Sequence, residues 1–353
     1  MKKVILPIGL LLLGLIMFFG LFLVYVSITD FTPDDMEQLR IKRRDNPTTI
    51  AKTDFTIMTW NIGYAGLGHE MDFFYDGGKK VRATKEQSAA YLGSVKAFLA
   101  DEHATNFILL QEVDIKAKRS YRVNQRQILT DVLYHDDVVS AVNYQIPFVP
   151  VPLFRPMGQV KAGMMTFARF EPTVAIRHAY PSIAGWPERL FLLDRCFIET
   201  RFAMQNGKEL VLINTHNSAF VDDQSLMQQE LDVIAGMMTA EYEKGNYVVA
   251  GGDWNMNPPD FEPLNDYRGN RYVPAEVSIP ASMLAPDWQY AFDASVPSNR
   301  HLDEPYTKGE TGTTTLDFFI LSPNIELISV ETRDLGFEFS DHNPVIMRIA
   351  PRL

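Results

Sequence analysis

Val248-Val249-Ala250-Gly251-Gly252-Asp253-Trp254-Asn255 is the stretch on which the rest of the chain turns. Its run of β-branched and small apolar residues predicts a buried strand, and the two glycines at its end let another backbone or a ligand come close. A carboxylate and an amide, Asp253 and Asn255, follow two residues apart. If the extended geometry continues, both point to the same side and reach into one site at the strand's end. Gly-Gly-Asp also makes an ordinary tight turn, so the surrounding chain has to decide between site and turn.

Outward from this stretch, strands of the same kind recur. Phe55 to Trp60 ends at Asn61, Phe107 to Leu110 ends at Gln111-Glu112, and Leu210 to Ile213 ends at Asn214-Thr215-His216. Leu316 to Leu321 carries Asp317 near its start, and Val345 to Ile349 is preceded by Asp341-His342-Asn343. Helices are predicted between them. Thr84 and Gln87 make a capping box ahead of Leu92, Val95 and Leu99; Met227, Leu231, Ile234 and Met238 share one face of a second helix, with Gly245 as its stop. A long irregular segment is expected from Pro258 to Thr315. No repeat or low-complexity linker interrupts this order, so 55–353 reads as one α/β domain. Polar and acidic residues thus fall repeatedly at the ends of different apolar strands, where α/β proteins keep their sites.

The 353 residues, 46% of them hydrophobic, are enough for a sizeable core. A net charge of −11 argues against a broad basic surface for nonspecific nucleic-acid binding, but not against a nuclease made locally positive by a metal. The single cysteine, Cys196, excludes an intramolecular disulfide and is expected to be a buried structural thiol.

After a tail at 1–3, residues 4–26 contain no charge and are long enough to span a bilayer as a helix. They are expected to be a transmembrane anchor; a cleaved secretory signal is the alternative, but the run is long for one and Val24-Tyr25-Val26-Ser27 is a poor cleavage site. Lys2 and Lys3 favour a cytoplasmic N-terminus, which places the remaining chain outside the cytoplasm, whereas Arg40, Lys42, Arg43 and Arg44 pull the other way. Residues 27–54 are expected to be a juxtamembrane stalk, with a short helix around Asp34 to Arg44.

The chain lacks a nucleophile elbow, a phosphate-binding glycine loop, a dinucleotide fingerprint and His-Glu-x-x-His. What remains, carboxylates, amides and two histidines, suits a hard divalent cation, with Glu112 the best candidate ligand. In order, Trp60-Asn61, Leu110-Gln111-Glu112, Asn214-Thr215-His216, Gly252-Asp253-Trp254-Asn255, Leu316-Asp317 with Leu321-Ser322, and Ser340-Asp341-His342 resemble the motif series of the endonuclease/exonuclease/phosphatase (DNase I-like) superfamily. That superfamily includes nucleases, inositol-polyphosphate phosphatases and neutral sphingomyelinases.

The resemblance implies a four-layered sandwich, with two mixed β-sheets face to face flanked by helices, here preceded by one N-terminal transmembrane helix. It implies Mg²⁺ or Mn²⁺ held by Glu112, with Asn61 and Asp341 helping directly or through water. By the same resemblance Asp253 orients or deprotonates the attacking water, Asn255 holds water or a phosphate oxygen, and His216 and His342 donate hydrogen bonds to phosphate oxygens. Asp317 fixes the His342 ring; which group is the base is left open.

Arg119, Ser120 and Tyr121, inside a basic run from Lys116 to Arg126, are candidates to meet the substrate together with Asn61, although a solvated helix face explains the run equally well. Arg169 reads as structural, and the Pro-rich aromatic stretch Ile146 to Pro156 as a surface loop with an apolar character suited to lipid. The expected activity is hydrolysis of a phosphodiester, in nucleic acid or in a phospholipid headgroup. A phosphomonoesterase acting on inositol-type phosphates and a non-catalytic binding module are the alternatives. No protein partner is inferable.

Overall fold

In the computed structural model, which describes residues 2–182, 184–219, 224–262 and 277–352, the apolar runs at Phe55, Phe107, Leu210, Val248 and Leu316 become strands buried on both faces. In chain order the elements are α1 (Lys2–Ile28), β1 (Met36–Gln38), β2 (Thr49–Ile50), β3 (Phe55–Asn61), α2 (Lys85–Asp101), β4 (Phe107–Asp114), α3 (Gln125–Val132), β5 (Asp137–Val149) and β6 (Gly158–Ala168). They continue with β7 (Val174–Ala179), β8 (Cys196–Met204), β9 (Glu209–His216), α4 (Gln224–Glu243), β10 (Tyr247–Asp253), β11 (Gln289–Ala291), β12 (Asn299–Arg300), β13 (Thr313–Thr314), β14 (Asp317–Leu321), β15 (Ile325–Thr332) and β16 (Val345–Pro351).

Two mixed sheets result. One runs β1-β7-β8-β9-β10-β14-β11, with β2 on β8; the other runs β15-β16-β3-β4-β6-β5. Alternation along the strands sorts side chains into layers. Phe55, Ile57, Phe107, Leu109, Leu210, Leu212, Val249, Phe319 and Leu321 meet between the sheets. Their neighbours Val211, Ile213, Val248, Ala250, Phe318 and Ile320 face Leu231, Ile234 and Met238 of α4. On the far side Met58, Trp60, Ile108 and Leu110 pack under Val95 and Leu99 of α2 and Leu129 of α3. The four-layered sandwich of the sequence reading is therefore the fold, and burial on both faces is why its strands read as continuous apolar runs rather than alternating ones.

Local chemistry agrees with the sequence in several places. The Thr84 hydroxyl accepts from Gln87 N–H while the Gln87 side chain accepts from Thr84 N–H, closing the capping box of α2. Gly245 takes φ +82° just after α4. Cys196 is buried, and burial pushes its thiol up to about 11, as an inert structural cysteine requires.

Other expectations are corrected. The helix expected around Asp34 to Arg44 is a strand: Met36 to Gln38 pair antiparallel with β7 from Met36↔His178 to Gln38↔Ile176, and Lys42 bridges to Val138. Leu39 and Ile41, two residues apart, pack on the cluster of Val139, Met164 and Ile198. A sheet edge offering unpaired backbone groups has overridden a weak helical preference. The segment expected to be irregular contains β11, β12 and β13, while its residues 263–276 lie outside those described. Edge strand β15 escaped notice because half of its residues are exposed, Glu326, Ser329 and Glu331 among them, which breaks the apolar run.

α1 includes a 22-residue segment, Pro7–Ile28, of mean hydropathy 2.6, long and apolar enough to cross a bilayer. Most of its side chains are exposed, and only its last turns touch the domain, where Val26 is buried.

Candidate active site

The strand ends named in the sequence converge at one edge of the sandwich. β3, β4 and the turn before β16 bring Asn61, Glu112, Asp341 and His342 from one sheet; β9, β10 and β14 bring His216, Asp253 and Asp317 from the other. Several contacts span the gap. Asn61 Nδ2 donates to Asp253 Oδ2 at 2.8 Å, His342 Nδ1 pairs with Asp317 Oδ2 at 2.7 Å, and Gln111 Nε2 donates to Asn214 Oδ1 at 2.8 Å.

The glycines of the opening stretch explain how β10 fits. Gly252 takes φ +154°, and a Cβ there would lie 2.0 Å from the Thr215 carbonyl oxygen on β9; a Cβ at Gly251 would lie 2.3 Å from the Phe319 ring. Only glycine allows this approach. Asp253 is the last residue of the strand. Asn255 takes φ +50°, and its N–H donates to Asp253 Oδ1 at 2.9 Å, so the chain turns rather than staying extended. The expected i, i+2 geometry fails because the Asp253 carboxylate closes a tight turn onto Asn255. Asn255 nevertheless lines the pocket, its Nδ2 spent on the Asn217 carbonyl at 2.8 Å.

Glu112 owes its position to an irregularity. β4 continues past it to Asp114, but its register against β6 shifts between Leu110 and Val113, and Glu112 takes φ +56°. A bulge of this kind re-aims one side chain out of the ladder. Asn61 Nδ2 also reaches Glu112 Oε1 at 3.3 Å, while Asn61 Oδ1 accepts from Gly63 N–H at 3.0 Å. Asn61 therefore presents a donor to the two carboxylates, which suits orienting them. Burial raises the Glu112 pKa above the usual carboxylate range, with Arg119 opposing. Burial likewise raises Asp341, with His342 and Arg300 opposing.

The histidines differ in charge. Burial, with Arg195, His342 and Arg119 nearby, holds His216 well below the ordinary imidazole value, so its ring is neutral. Its Nε2 lies 3.5 Å from Asp253 Oδ2, and its buried Nδ1 has no hydrogen-bond partner. Burial opposes charge on His342 too, but Asp317, Asp253 and Asp341 outweigh it and hold the pKa well above the ordinary value. His342 Nε2 stands 3.8 Å from Asp253 Oδ2 and 3.9 Å from Asp341 Oδ2. Asp317 is fixed in turn by the Ser298 hydroxyl at 2.8 Å.

The basic run divides. Arg119 is buried, paired with Asp114 at 3.0 Å, 3.9 Å from Glu112, and stacked 3.7 Å over the Tyr64 ring. Tyr121 leaves the site: its hydroxyl donates to the Ala83 carbonyl at 2.8 Å, and it does not line the pocket. Ser120 is buried and bonded to the Ala117 carbonyl, and Arg169 pairs with Asp136 at 2.5 Å. Residues 118–122 form turns, so the run up to Arg122 is no helix face, and only Arg126 lies on a helix, α3.

Among the pocket residues unrecognised in the sequence are Tyr64, Asp76, Arg195 and Arg300. Tyr64, at φ +43° and buried with an unpartnered hydroxyl, had one signal, its place between Gly63 and Gly66. Buried Arg300 donates to the Leu67, Gly68 and Met71 carbonyls at 3.1, 2.9 and 3.0 Å, pinning that loop beside Asp341. Burial, Asp341 and Glu112 push Asp76 up to about 7.

Together these residues line a cavity of about 720 Å³ holding Glu112, Asp253 and Asp341. Its carboxylates Asp76, Glu112, Asp253 and Asp341 stand among Arg119, Arg195, Arg300 and His342, and Gly63 presses so close that a Cβ there would lie 2.6 Å from Asp341 Oδ1. A crowded donor set of hard carboxylate oxygens, with Arg119 engaged by Asp114 and Arg300 by backbone carbonyls, fits a divalent cation. Asp253, Asp317 and His342 also form a buried group close enough to share an ion, although His342 and Asp317 already satisfy each other.

Comparison with known proteins agrees. The model of the Endonuclease/Exonuclease/phosphatase family matches residues 58–342. Among solved structures, an endonuclease/exonuclease/phosphatase from Beutenbergia cavernae superposes with TM-score 0.55 at 16% identity, covering 85% of this chain and 72% of its own. ANGEL2, a 2',3'-cyclic phosphatase, gives 0.52 at 12% over 90% of this chain and 99% of its own. D. rerio TDP2, solved with a single-strand DNA product, gives 0.52 at 13% over 84% and 99%. Comparison with curated proteins by sequence gave no match. At such identities the structural likeness speaks for the fold, and the family rests on the matched model. The chain belongs to the endonuclease/exonuclease/phosphatase family, whose members are divalent-metal-dependent phosphoesterases.

Proposed function

We propose that this protein is a Mg²⁺- or Mn²⁺-dependent phosphodiesterase, tethered by α1 with its catalytic domain outside the cytoplasm. The observation that carries the reading is the convergence on Asp253 Oδ2, met by Asn61 at 2.8 Å, His216 at 3.5 Å and His342 at 3.8 Å, in a cavity that also holds Glu112 and Asp341. Glu112 and Asp341 would hold the metal. When bound, it supplies charge neutralisation at the phosphoryl oxygens.

The chain's own residues divide the remaining work. Asn61 orients Glu112 and Asp253. Asp253 takes the proton of the attacking water, whose position Asn255 helps to set. His342, kept charged and oriented by Asp317 and with Nε2 2.9 Å from the Asn299 side-chain amide, places fixed positive charge beside the phosphoryl oxygens, where it stabilises the transition state. Neutral His216 adds a donor from the opposite wall. Arg119 contributes positive charge next to Glu112, although Asp114 already holds its guanidinium.

The test uses the full chain, because Val26 and Phe22 of α1 pack on the domain. Plasmid DNA, RNA, sphingomyelin and phosphorylated inositols are offered with Mg²⁺, with Mn²⁺ and with EDTA. Metal-dependent hydrolysis of a diester is expected. Full activity in EDTA would remove the metal from the reading, and release only from the inositol monoesters would replace diester by monoester chemistry.

A further inference from the structure

The surface around the exit of α1 exposes large apolar side chains that the catalytic site does not use. Leu153 is 78% exposed, Phe154 93% and Trp186 61%, with Val151 beside them at 40%. They lie on two loops, one after β5 and one after β7. Both loops are fastened to α1. Phe22 meets Phe148 edge-on at 6.1 Å and stacks on Phe191 at 6.2 Å, while Trp186 Nε1 donates to Ser27 Oγ at 3.1 Å.

The dimensions of α1 fix where these loops must lie. Its uncharged run covers residues 4–26. At about 1.5 Å per residue that run measures about 35 Å, slightly more than a hydrocarbon core of about 30 Å. A helix filling the core with this run has Val26 near the boundary and Phe22 about one turn inside it. Since the domain already touches Phe22, its surface there reaches the boundary and dips below it. Beside Thr29 a cavity of about 310 Å³ is lined by Lys116 and Lys161, two ammonium groups at headgroup height.

We infer that Val151, Leu153, Phe154 and Trp186 form a second bilayer contact beside α1, a rim that seats the domain on the membrane holding its own anchor. The occupant of this apolar surface is lipid. Tryptophan at the boundary and aliphatic tips just inside it match the chemistry of that depth. Phe191 and Leu192, next along the same loop, line the catalytic cavity, so the rim holds the mouth of the cavity at the lipid surface. The inference rests on α1 spanning a bilayer and is independent of the metal.

The protein's four tryptophans permit a direct test, since Trp60, Trp254 and Trp288 are buried and only Trp186 is exposed. The full chain is reconstituted into phosphatidylcholine vesicles with plain or brominated acyl chains. Brominated lipid is expected to remove most of the Trp186 emission, identified as the part missing in Trp186→Phe. Leu153→Asp with Phe154→Asp is expected to restore emission while circular dichroism stays unchanged. Equal emission in both vesicles, with Trp186 open to aqueous acrylamide, would overturn the rim; protection from both quenchers would mean that a second copy covers it, and would overturn it equally. Alkaline carbonate extraction reads the anchor separately. Chain released by carbonate overturns anchor and rim together, whereas retained chain with unquenched Trp186 overturns the rim alone.

Discussion

The two ends of β9 and β10 hold charge in opposite ways. Near the start of β9, Arg201 bonds Glu199, reaches Glu209 at 2.9 Å and grips Glu241 at 2.8 and 2.9 Å, while Lys244 and Asn246 complete Glu241 at 2.6 and 2.8 Å. At the other end, about 23 Å along the strand by its rise per residue, Glu112, Asp253, Asp317 and Asp341 gather around the charged His342, while Arg119 is committed to Asp114 and Arg300 donates to backbone carbonyls. Burial costs both groups. The first offsets it fully with partners within the fold; the second does so less completely, and buried carboxylates short of cationic partners are what a bound cation later satisfies.

The largest expected effects test that division directly. His216→Ala and Asp253→Asn should each slow turnover by about 10²–10⁴-fold, as loss of positioned acid–base groups does. The melting temperature of Asp253→Asn should hold or rise, because that change removes one of several crowded negative charges. Near-normal rates in both variants would make the cluster structural. Arg201→Met should do the reverse, costing about 3 kcal/mol of stability by stranding three carboxylates, with kcat of the folded protein intact. Denaturant unfolding and specific activity together read this, and lost activity without lost stability would erase the contrast. Next in size, Mg²⁺ or Mn²⁺ at 100 times its Kd should stabilise the wild type by about 2.7 kcal/mol. Glu112→Gln should lose that gain, whereas Arg201→Met should keep it.

The same two ends show what the sequence could and could not reveal. Gly251-Gly252-Asp253 and Asn214-Thr215-His216 were legible because parallel neighbours β9 and β10 end together, Asp253 opposite His216 in register. The sandwich itself was legible in the two-sided apolar runs. Tyr121 misled because nearness to Glu112 in sequence says nothing once the chain leaves the bulge and turns through φ +57° at Tyr121 and +61° at Arg122. Arg300 was invisible for the opposite reason: it lies about 230 residues from the carbonyls it binds, and no local pattern marks a side chain whose partners are backbone. The strand at Met36 to Gln38 was missed because its cause is the open edge of β7, a tertiary feature.

The finest test of the contrast is its sign against pH. Burial raises the Glu241 pKa, but Arg201, Lys244 and Asn246 outweigh burial and bring it from 4.5 to about 2. A carboxylate depressed in the folded state adds stability that is complete above its unfolded pKa and is lost as pH falls towards the folded one. The deficit of Arg201→Met should therefore shrink as pH falls from 4.5 towards 2, since the wild type then loses what the variant never had. Glu112 carries the opposite sign. Its folded pKa is raised above 4.5, so its charge destabilises at neutral pH and protonation relieves it as pH falls through the raised value. With EDTA present, Glu112→Gln should begin more stable than the wild type and lose that advantage on acidification. Thermal melts of the three proteins across this range should show one difference closing from below and the other from above. An Arg201→Met deficit that stays constant would mean that Arg201 acts through packing rather than charge, and an acid-insensitive Glu112→Gln would mean that the carboxylates at the catalytic end are as well compensated as those around Arg201.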